Sequence, residues 1–227
     1  MAKVLVIGAS RGIGLETVRT LLAAGHQVRA LARKARDIPI EDARLEKRDG
    51  DALDRAAVEQ ALSGVDAVIQ SLGVAFSPEV VLKGTTLFSK ATRVLVDAMQ
   101  ATRVRRLIMV TGFGAGDSRG HGGFLYSAVV FPLLLKRVYD DKDVAEQIVR
   151  ASGLDWTIAR PGGLTNGPAT GRYRVLVEPA SWRAGMISRA DVADFLAKQV
   201  ADTAYFGKTP ELIAGKAKAP GLATRRL

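Results

Sequence analysis

The chain contains no cysteine and only two histidines, His26 and His121. The absence of cysteine excludes disulfide bonds, iron–sulfur clusters, cysteine-ligated zinc and any catalysis by a thiol. Two isolated histidines are too few for the histidine-rich metal sites of zinc enzymes. No metal site is therefore predicted, and the chemistry must come from other side chains or from an organic cofactor.

Long hydrophobic runs are also missing. The longest apolar stretch, 124–135, is interrupted by Ser127 and Pro132 and is shorter than the roughly 20 residues that a membrane-spanning helix needs. Near the N-terminus only residues 4–7 are apolar in succession, too few for a signal-peptide core of about 7–15 residues. These features predict a cytoplasmic protein without membrane contact, in which 124–135 forms a buried or partner-facing helix and a candidate homo-oligomer interface.

Acidic residues are outnumbered by basic ones, 23 against 33, which gives a net charge of +10. A basic surface can indicate a nucleic-acid partner. The basic residues are spread along the chain, however, and in 41–48 they alternate with acids. No helix-turn-helix, zinc-finger or RNA-recognition motif accompanies them. Nucleic-acid binding is therefore disfavoured, and a solvated surface that also attracts anionic small ligands explains the charge.

Short β-branched runs alternate with longer helical segments along most of the chain. Strands are predicted at 3–7, 27–32, 44–48, 66–70, 105–111, 154–160, 173–178 and 209–213, and helices near 12–24, 52–62 and 84–101. Such alternation predicts right-handed crossovers and a mainly parallel sheet with helices on both faces. The predicted fold class is α/β, with a single doubly wound Rossmann domain over 1–215 and a basic, flexible tail at 216–227.

Three later segments carry local signals. Six glycines between residues 112 and 123 predict a flexible loop beyond the carboxyl end of a strand. A further helix is predicted to end near Ser152, with Gly153 as its stop. Ser188 and Asp191 form an approximate capping box, which predicts that another helix begins there.

The most specific motif is a glycine-rich turn between the first strand and the first helix. It predicts a dinucleotide site formed by Gly8, Ser10, Arg11, Gly12, Ile13 and Gly14. The first glycine permits a tight turn, the second lets the backbone approach a pyrophosphate, and the third lets the helix pack closely on the strand. The free N–H groups and partial positive charge of the helix N-terminus favour the phosphates.

The end of the second strand indicates which dinucleotide binds. An NAD site usually places an Asp or Glu about 20 residues after the glycines, where it binds the ribose 2′-hydroxyl. Here residues 28–36 contain no acid, and the first carboxylate is Asp37. Arg33 can hold a 2′-phosphate with a planar pair of donors, and Arg11 can reach the same corner. Alternatively, Arg33 and Arg36 are solvated surface charges. The pattern favours NADP(H), with NADPH bound at least about tenfold tighter than NADH.

The glycine turn and four downstream segments resemble the short-chain dehydrogenase/reductase superfamily. The resemblance is strongest to its atypical branch, which contains NAD(P)H-binding, NmrA-like and flavin reductase/biliverdin reductase B-like proteins. The segments are Gly-Asp-Ala-Leu-Asp at 50–54, Gly-Val-Asp-Ala-Val-Ile at 64–69, Trp-Thr-Ile-Ala-Arg-Pro-Gly-Gly at 156–163 and Ile-Ser-Arg-Ala-Asp-Val-Ala at 187–193.

The resemblance implies contacts to the adenine, to the nucleotide ribose and diphosphate, and to the nicotinamide carboxamide. In that order, the implied residues are Asp51 and Ala52; Ser71, Leu72 and Gly73; and Pro161, Gly162 and Gly163. Asp51 is also placed to be a helix N-cap, and the two roles can coexist.

The catalytic part of the resemblance is incomplete. Active members of the standard branch carry a Tyr and, four residues later, a Lys that assists it and holds the ribose. Lys142 takes the place of that Lys, with Glu146 four residues beyond it, but Val138 stands at the tyrosine position. The neighbouring Tyr139 is rotated by roughly 100° on a helix and is predicted to point elsewhere, so it is not assigned as the acid.

Two residues are nevertheless predicted as catalytic and as cofactor contacts, Thr111 and Lys142. Thr111 ends the fifth strand and replaces the family's Ser, with Gly112 and Phe113 as alternative counterparts. Lys142 is expected to contact the ribose, and the alternative is an exposed helical lysine.

Two functions remain open at this point. The first is an NADPH-dependent oxidoreductase that transfers hydride to a small planar acceptor such as a flavin or quinone, which can take its proton from solvent when the Tyr is missing. The second is a non-catalytic NADP(H)-binding redox sensor of NmrA-like type, which suits the imperfect Tyr/Lys pair. A sugar-nucleotide epimerase is disfavoured because the chain beyond Arg160 is short for the substrate domain of that group.

Overall fold

A computed structural model describes residues 1–74, 77–119 and 136–215. The strands are β1 (Lys3–Ile7), β2 (Gln27–Ala32), β3 (Leu45–Asp49), β4 (Ala67–Gln70), β5 (Arg106–Val110), β6 (Asp155–Pro161), β7 (Gly163–Thr165), β8 (Tyr173–Leu176), β9 (Met186–Ser188) and β10 (Glu211–Ala214). The helices are α1 (Gly12–Ala23), α2 (Arg55–Leu62), α3 (Pro78–Lys83), α4 (Leu87–Thr102), α5 (Lys136–Arg150) and α6 (Arg189–Lys198). The predicted interface at 124–135, the predicted tail at 216–227 and residues 120–123 of the glycine-rich loop lie outside the described residues. Within the described ranges, none of the helices is long and apolar enough to cross a bilayer.

Eight of the described strands form one sheet in the order β3-β2-β1-β4-β5-β6-β10-β8. Neighbouring strands run parallel except for β8, which is antiparallel to β10. At the centre, Val6 of β1 lies between Ala30 of β2 and Ile69 of β4. The short strands β7 and β9 pair with each other in parallel. The predicted α/β fold with a mainly parallel Rossmann-type sheet is confirmed.

Helices cover both faces of this sheet, which explains why the central strands are apolar on both sides. On one face, α1 and α6 contribute Leu21 and Phe195 to the core. On the other face, α2, α4 and α5 contribute Val58, Leu95 and Val149. The exposed surface of α4 is therefore separated from α1 and α6 by the thickness of the sheet.

Ser188 caps α6 as predicted, because its hydroxyl accepts a hydrogen bond from the backbone N–H of Asp191 at 3.0 Å. The reciprocal half of the predicted capping box is wrong. The Asp191 carboxylate accepts instead from the backbone N–H groups of Thr170 and Gly171, at 2.7 and 2.9 Å. The Asp191 carboxylate thus bonds to a loop that is distant in sequence rather than to the backbone N–H of Ser188, its partner in a capping box.

The N-cap of α2 is Asp54, whose carboxylate accepts from the backbone N–H of Ala56 at 2.9 Å. Asp51 accepts from the backbone N–H of Leu53 at 2.9 Å, in the turn before the helix. The alternative role of Asp51 as an N-cap is therefore wrong. Three elements had no counterpart in the sequence prediction, namely α3, β7 and β9. Each has six residues or fewer, which is too short for a periodic hydrophobic pattern to emerge.

Candidate functional site

The candidate site lies at the carboxyl ends of β1, β2 and β4, where the strand order changes direction. In an open parallel sheet this point leaves a crevice that binds ligands. Two backbone hydrogen bonds hold the loops together there. The N–H of Gly8 donates to the carbonyl of Leu31 at 3.0 Å, and the N–H of Ser71 donates to the carbonyl of Ile7 at 2.9 Å. The glycine turn is therefore fixed beside Ser71 and beside the end of the strand that leads to Arg33.

Two glycines of the turn are dictated by packing. Gly8 has a φ of +84°, and a Cβ built on it would lie 2.5 Å from the carbonyl oxygen of Ser71. A Cβ on Gly14 would overlap the carbonyl oxygen of Gly8, so that any larger residue would push α1 off the strand. The backbone of the turn and the start of α1 are in direct contact, and this holds the helix N-terminus in place.

Gly12 differs from these two because its surroundings are open. Its φ is +58°, and among the described residues a Cβ built on it would meet only the side chain of Arg189 within 4 Å, with Nε at 3.8 Å. In the part of the chain that the structure describes, no side chain caps α1, whose N-cap position is Arg11. The first N–H groups of a helix have no acceptor within the helix. Open space over Gly12 and uncapped N–H groups, including those of Ile13 and Gly14, together fit a diphosphate.

The arginines near the end of β2 have different surroundings. Arg36 forms an ion pair with Asp49 at 3.2 Å, so it is held by the protein itself. Arg33 directly follows β2 and is exposed, as is Arg11 at the start of α1. Neither side chain is paired with a carboxylate in the part of the chain that the structure describes. Two arginines at this corner are thus available to an anion.

The loops after β3 and β4 border the same crevice. Asp51 is exposed and Ala52 is partly buried, and the hydrogen bond to Leu53 holds the Asp51 carboxylate at the loop. After β4, Ser71 and Leu72 are partly buried and Gly73 is exposed. The residues predicted to contact the adenine and the ribose thus lie on loops that leave the same carboxyl edge of the sheet, after β3 and β4, with β2 and β1 between them.

Pro161, Gly162 and Gly163 connect three separate segments at the end of β6. The Pro161 carbonyl accepts from the N–H of Phe113 at 2.9 Å, and the Gly163 N–H donates to the Gly185 carbonyl at 2.8 Å. A Cβ on Gly162 would overlap the same Gly185 carbonyl. This close approach between two backbones requires glycine at position 162.

Lys142 and Tyr139 meet at Gly112, two residues beyond the end of β5. Lys142 Nζ donates to the backbone carbonyl of Thr111 at 2.6 Å and lies 4.6 Å from the centre of the Tyr139 ring. A Cβ built on Gly112 would lie 2.9 Å from the Tyr139 hydroxyl oxygen and 3.6 Å from Lys142 Nζ. The expectation that Tyr139 points elsewhere is wrong. Residues three apart share a helix face, whereas Val138 enters the core.

Thr111 belongs to a cluster in which Thr111, Glu146 and Arg160 are buried and Asp117 is exposed at the edge, called here the buried ionic cluster. The Thr111 hydroxyl donates to Glu146 at 2.7 Å. Arg160 donates to both oxygens of the same carboxylate, at 3.0 and 2.5 Å, and also to Asp117. The side chains of Arg160 and Glu146 are 0% and 2% exposed. The single proton of the Thr111 hydroxyl is therefore engaged by a buried carboxylate, which argues against the predicted catalytic role.

The sequence prediction did not assign roles to Glu146, Arg160 or Arg189. Glu146 lies four residues after Lys142 and Arg160 lies within the segment 156–163, and neither position by itself indicates a partner. A charged residue inside an otherwise apolar strand, as in Ile158-Ala159-Arg160, was the available signal for a buried ion pair. No comparable signal in the sequence pointed from Arg189 to the glycine turn.

Comparisons with known proteins agree with this geometry. The family described as NAD(P)H-binding matches residues 8–203. An uncharacterized sugar epimerase of Bacillus subtilis, YhfK, is 30% identical over 205 residues, covering 84% of each chain. The structure of ChuY, an anaerobillin reductase from Escherichia coli, is 26% identical with a TM-score of 0.77, and the match covers 96% of this chain and 100% of ChuY.

A short-chain dehydrogenase/reductase from Veillonella parvula in complex with NADP shares the fold, with a TM-score of 0.78 at 23% identity over 97% of this chain and 95% of its own. The resemblance seen in the glycine turn and the four downstream segments is thereby confirmed. This chain belongs to the NAD(P)H-binding family, a group of oxidoreductase-like Rossmann-fold proteins in the atypical branch of the short-chain dehydrogenases/reductases.

Proposed function

We propose that the protein is an NADPH-dependent reductase that transfers hydride to a small planar acceptor of the flavin, quinone or tetrapyrrole class. The observation that carries this proposal is the meeting of the Tyr139 hydroxyl and the Lys142 ammonium at Gly112. Gly112 lies at the same carboxyl edge of the sheet as the glycine turn. A proton donor and a cation are thus placed on the side where a cofactor bound to that turn extends.

Each part of the crevice has a residue suited to one part of NADPH. The uncapped N–H groups of α1 and Arg11 hold the diphosphate. Arg33 binds the 2′-phosphate with two parallel donors. The Asp51 carboxylate accepts from the adenine amino group, with Ala52 beside the ring. Ser71, Leu72 and Gly73 line the ribose, and Pro161, Gly162 and Gly163 lie beside the carboxamide.

The reaction needs one hydride, which the nicotinamide supplies when bound, and one proton. Tyr139 donates that proton from its hydroxyl, and the adjacent Lys142 ammonium stabilises the phenolate that remains. The phenolate then regains a proton from water. A flavin or quinone can also be protonated by solvent, so Tyr139 accelerates the reaction without being indispensable. ChuY, described as an anaerobillin reductase, supports including tetrapyrroles among the acceptors.

The proposal is tested by incubating the protein with NADPH and a panel of flavins, quinones and linear tetrapyrroles while following the nicotinamide absorbance. We expect oxidation of NADPH above the buffer rate with at least one acceptor. Tight NADPH binding without turnover of any acceptor would instead favour the non-catalytic NmrA-like sensor.

For the accepted substrate, Tyr139→Phe is expected to lower kcat about tenfold. General acid catalysis usually contributes about 100-fold or more, but solvent protonation limits the loss for these acceptors. The Kd for NADPH should remain unchanged, which separates loss of a proton donor from loss of binding. Tyr205→Phe is the matched control, because Tyr205 packs against Phe195 of α6. An unaltered kcat in Tyr139→Phe would remove Tyr139 from the mechanism.

Lys142 makes cofactor binding depend on pH. Burial lowers the pKa of its ammonium from 10.5 to about 8, and the nearby Glu146 charge offsets only part of this shift. As pH rises through 8, the cation that attracts the anionic cofactor and donates to its ribose is lost. We therefore expect the Kd for NADPH to rise about fivefold between pH 7 and pH 9, the difference of roughly 1 kcal/mol between charged and neutral donors.

Fluorescence titrations of NADPH across this pH range measure the effect. Lys142→Met should bind more weakly at pH 7 and should lose the pH dependence. If Lys142→Met retains the full pH dependence, another group is responsible for it.

A further inference from the structure

We propose that Arg189, the first residue of α6, binds the cofactor diphosphate from the side opposite the glycine turn. This inference rests on the proposed function, since it concerns the same nucleotide. It adds a residue from the far end of the chain to a site otherwise built from the N-terminal strands. The position of the guanidinium group and its lack of a counter-charge carry the inference.

The Arg189 side chain lies over the open position of the glycine turn. A Cβ built on Gly12 would be 3.8 Å from Arg189 Nε and 4.0 Å from its Cδ, and it would meet no other described side chain within 4 Å. In dinucleotide turns the glycine at this position is the one whose backbone approaches the pyrophosphate. Arg189 therefore borders the space in which the diphosphate would lie.

The charge of Arg189 is not neutralised by the protein. Its Nη1 donates to the neutral amide oxygen of Asn166 at 2.7 Å. Among the residues that the structure describes, no carboxylate forms an ion pair with it. Arg189 is partly buried as a residue, while its hydrogen bond to Asn166 lies at the surface. The guanidinium is therefore open to an anion that brings its own charge.

The protein also holds this side chain in place. Ser188 caps α6 and its hydroxyl donates to the Pro168 carbonyl at 3.1 Å, which ties the segment containing Asn166 to the start of the helix. Asn166 then fixes the guanidinium from one side. Because its position is established before the ligand arrives, little side-chain entropy is lost on binding.

Arg189 and Arg33 should differ in the ligands that they recognise. The diphosphate is common to NADPH, NADH and ADP-ribose, whereas the 2′-phosphate belongs to NADPH and to adenosine 2′-monophosphate. Arg189→Gln is expected to lower the affinity for NADPH, NADH and ADP-ribose by about tenfold each, which is the contribution of one hydrogen bond to a charged group. The affinity for adenosine 2′-monophosphate should not change. Arg33→Gln should lower the affinity for NADPH and adenosine 2′-monophosphate and should leave the affinity for NADH and ADP-ribose unchanged.

Isothermal titration of the full chain with these four ligands provides the test. Arg93→Gln is the matched control, since Arg93 is exposed on α4, across the sheet from α1 and α6. Thermal melts of the unliganded variants check folding. If Arg189→Gln does not fold, Arg189→Lys takes its place. Its loss of affinity should be smaller than that expected for Arg189→Gln and should be the same for NADPH as for NADH.

The inference is overturned if the Arg189 variant binds NADPH and NADH within about twofold of the unmodified protein, or if it loses affinity for NADPH alone. The proposed function fails in a different way, through the absence of nucleotide binding or of turnover in the unmodified protein. The two failures are therefore distinguishable in the same set of titrations.

Discussion

Arg33→Glu is expected to reverse the coenzyme preference of this protein. The unmodified chain should bind NADPH at least about tenfold tighter than NADH, because Arg33 is exposed, unpaired among the described residues and directly after β2. Glutamate at this position repels a 2′-phosphate and accepts hydrogen bonds from the 2′-hydroxyl that NADH carries. The Kd for NADPH should rise about 100-fold, since roughly 1.5–3 kcal/mol of charge-assisted hydrogen bonding is replaced by repulsion.

Equilibrium titrations with NADPH and NADH measure both affinities. Arg33→Gln should lose the preference without reversing it, because it removes the cation and adds no acceptor charge. Arg93→Glu makes the same charge change at an exposed position on α4 and should leave the preference intact. Equal affinities of the unmodified protein for NADPH and NADH would show that Arg33 is a solvated surface charge, as its sequence context also allowed.

Glu146→Ala is expected to destabilise the fold by about 3–5 kcal/mol, which is the usual effect of removing one partner of a buried ion pair. Glu146 accepts from Arg160 and from Thr111, and both charged side chains are almost fully buried. Its removal would leave Arg160 with Asp117 as the remaining carboxylate to which it donates a hydrogen bond. The free energy of unfolding from urea titration at pH 7 measures this effect.

Glu79→Ala is the matched control for Glu146→Ala. Glu79 forms an exposed ion pair with Lys83 at 3.2 Å, and pairs of this kind contribute about 1 kcal/mol or less. Glu146→Gln keeps the side-chain volume and two acceptor contacts but removes the charge. Its loss of unfolding free energy should therefore lie between the losses of Glu79→Ala and Glu146→Ala. Equal destabilisation by Glu79→Ala and Glu146→Ala would mean that the buried ionic cluster contributes nothing beyond a surface pair.

The sequence was most informative where the structural requirement is local. β1 and β2 occupy the predicted ranges 3–7 and 27–32 without change, because hydrophobic period and turn residues are read over a few positions. Gly14 stands where only glycine fits because the carbonyl oxygen of Gly8, in the same turn, excludes a Cβ; at Gly8 the excluding carbonyl belongs to Ser71, which is distant in sequence. The fold class follows from the order of such segments.

The sequence was least informative about side-chain partners. Counting four residues back from Lys142 leads to Val138, yet the hydroxyl that lies beside Lys142 belongs to Tyr139. A helical count gives relative angles, but the packing of α5 against β5 decides which face meets Gly112. Thr111 likewise sits at the expected strand end, while the position of Glu146 decides where its proton goes.

The amino-acid sequence by itself therefore determined the parallel sheet, the glycine turn and the family to which the chain belongs, because each depends on patterns within a short stretch. Only the tertiary structure decided that Tyr139 faces Lys142, that Arg160 is neutralised inside the molecule by Glu146, and that Arg189 lies over Gly12. The contacts of Arg160 and Arg189 join separate elements, α5 to β6 and α6 to the glycine turn, whereas Tyr139 and Lys142 lie three residues apart on α5. Their geometry is set by how helices and strands pack, and by which of several competing partners a charged side chain can reach.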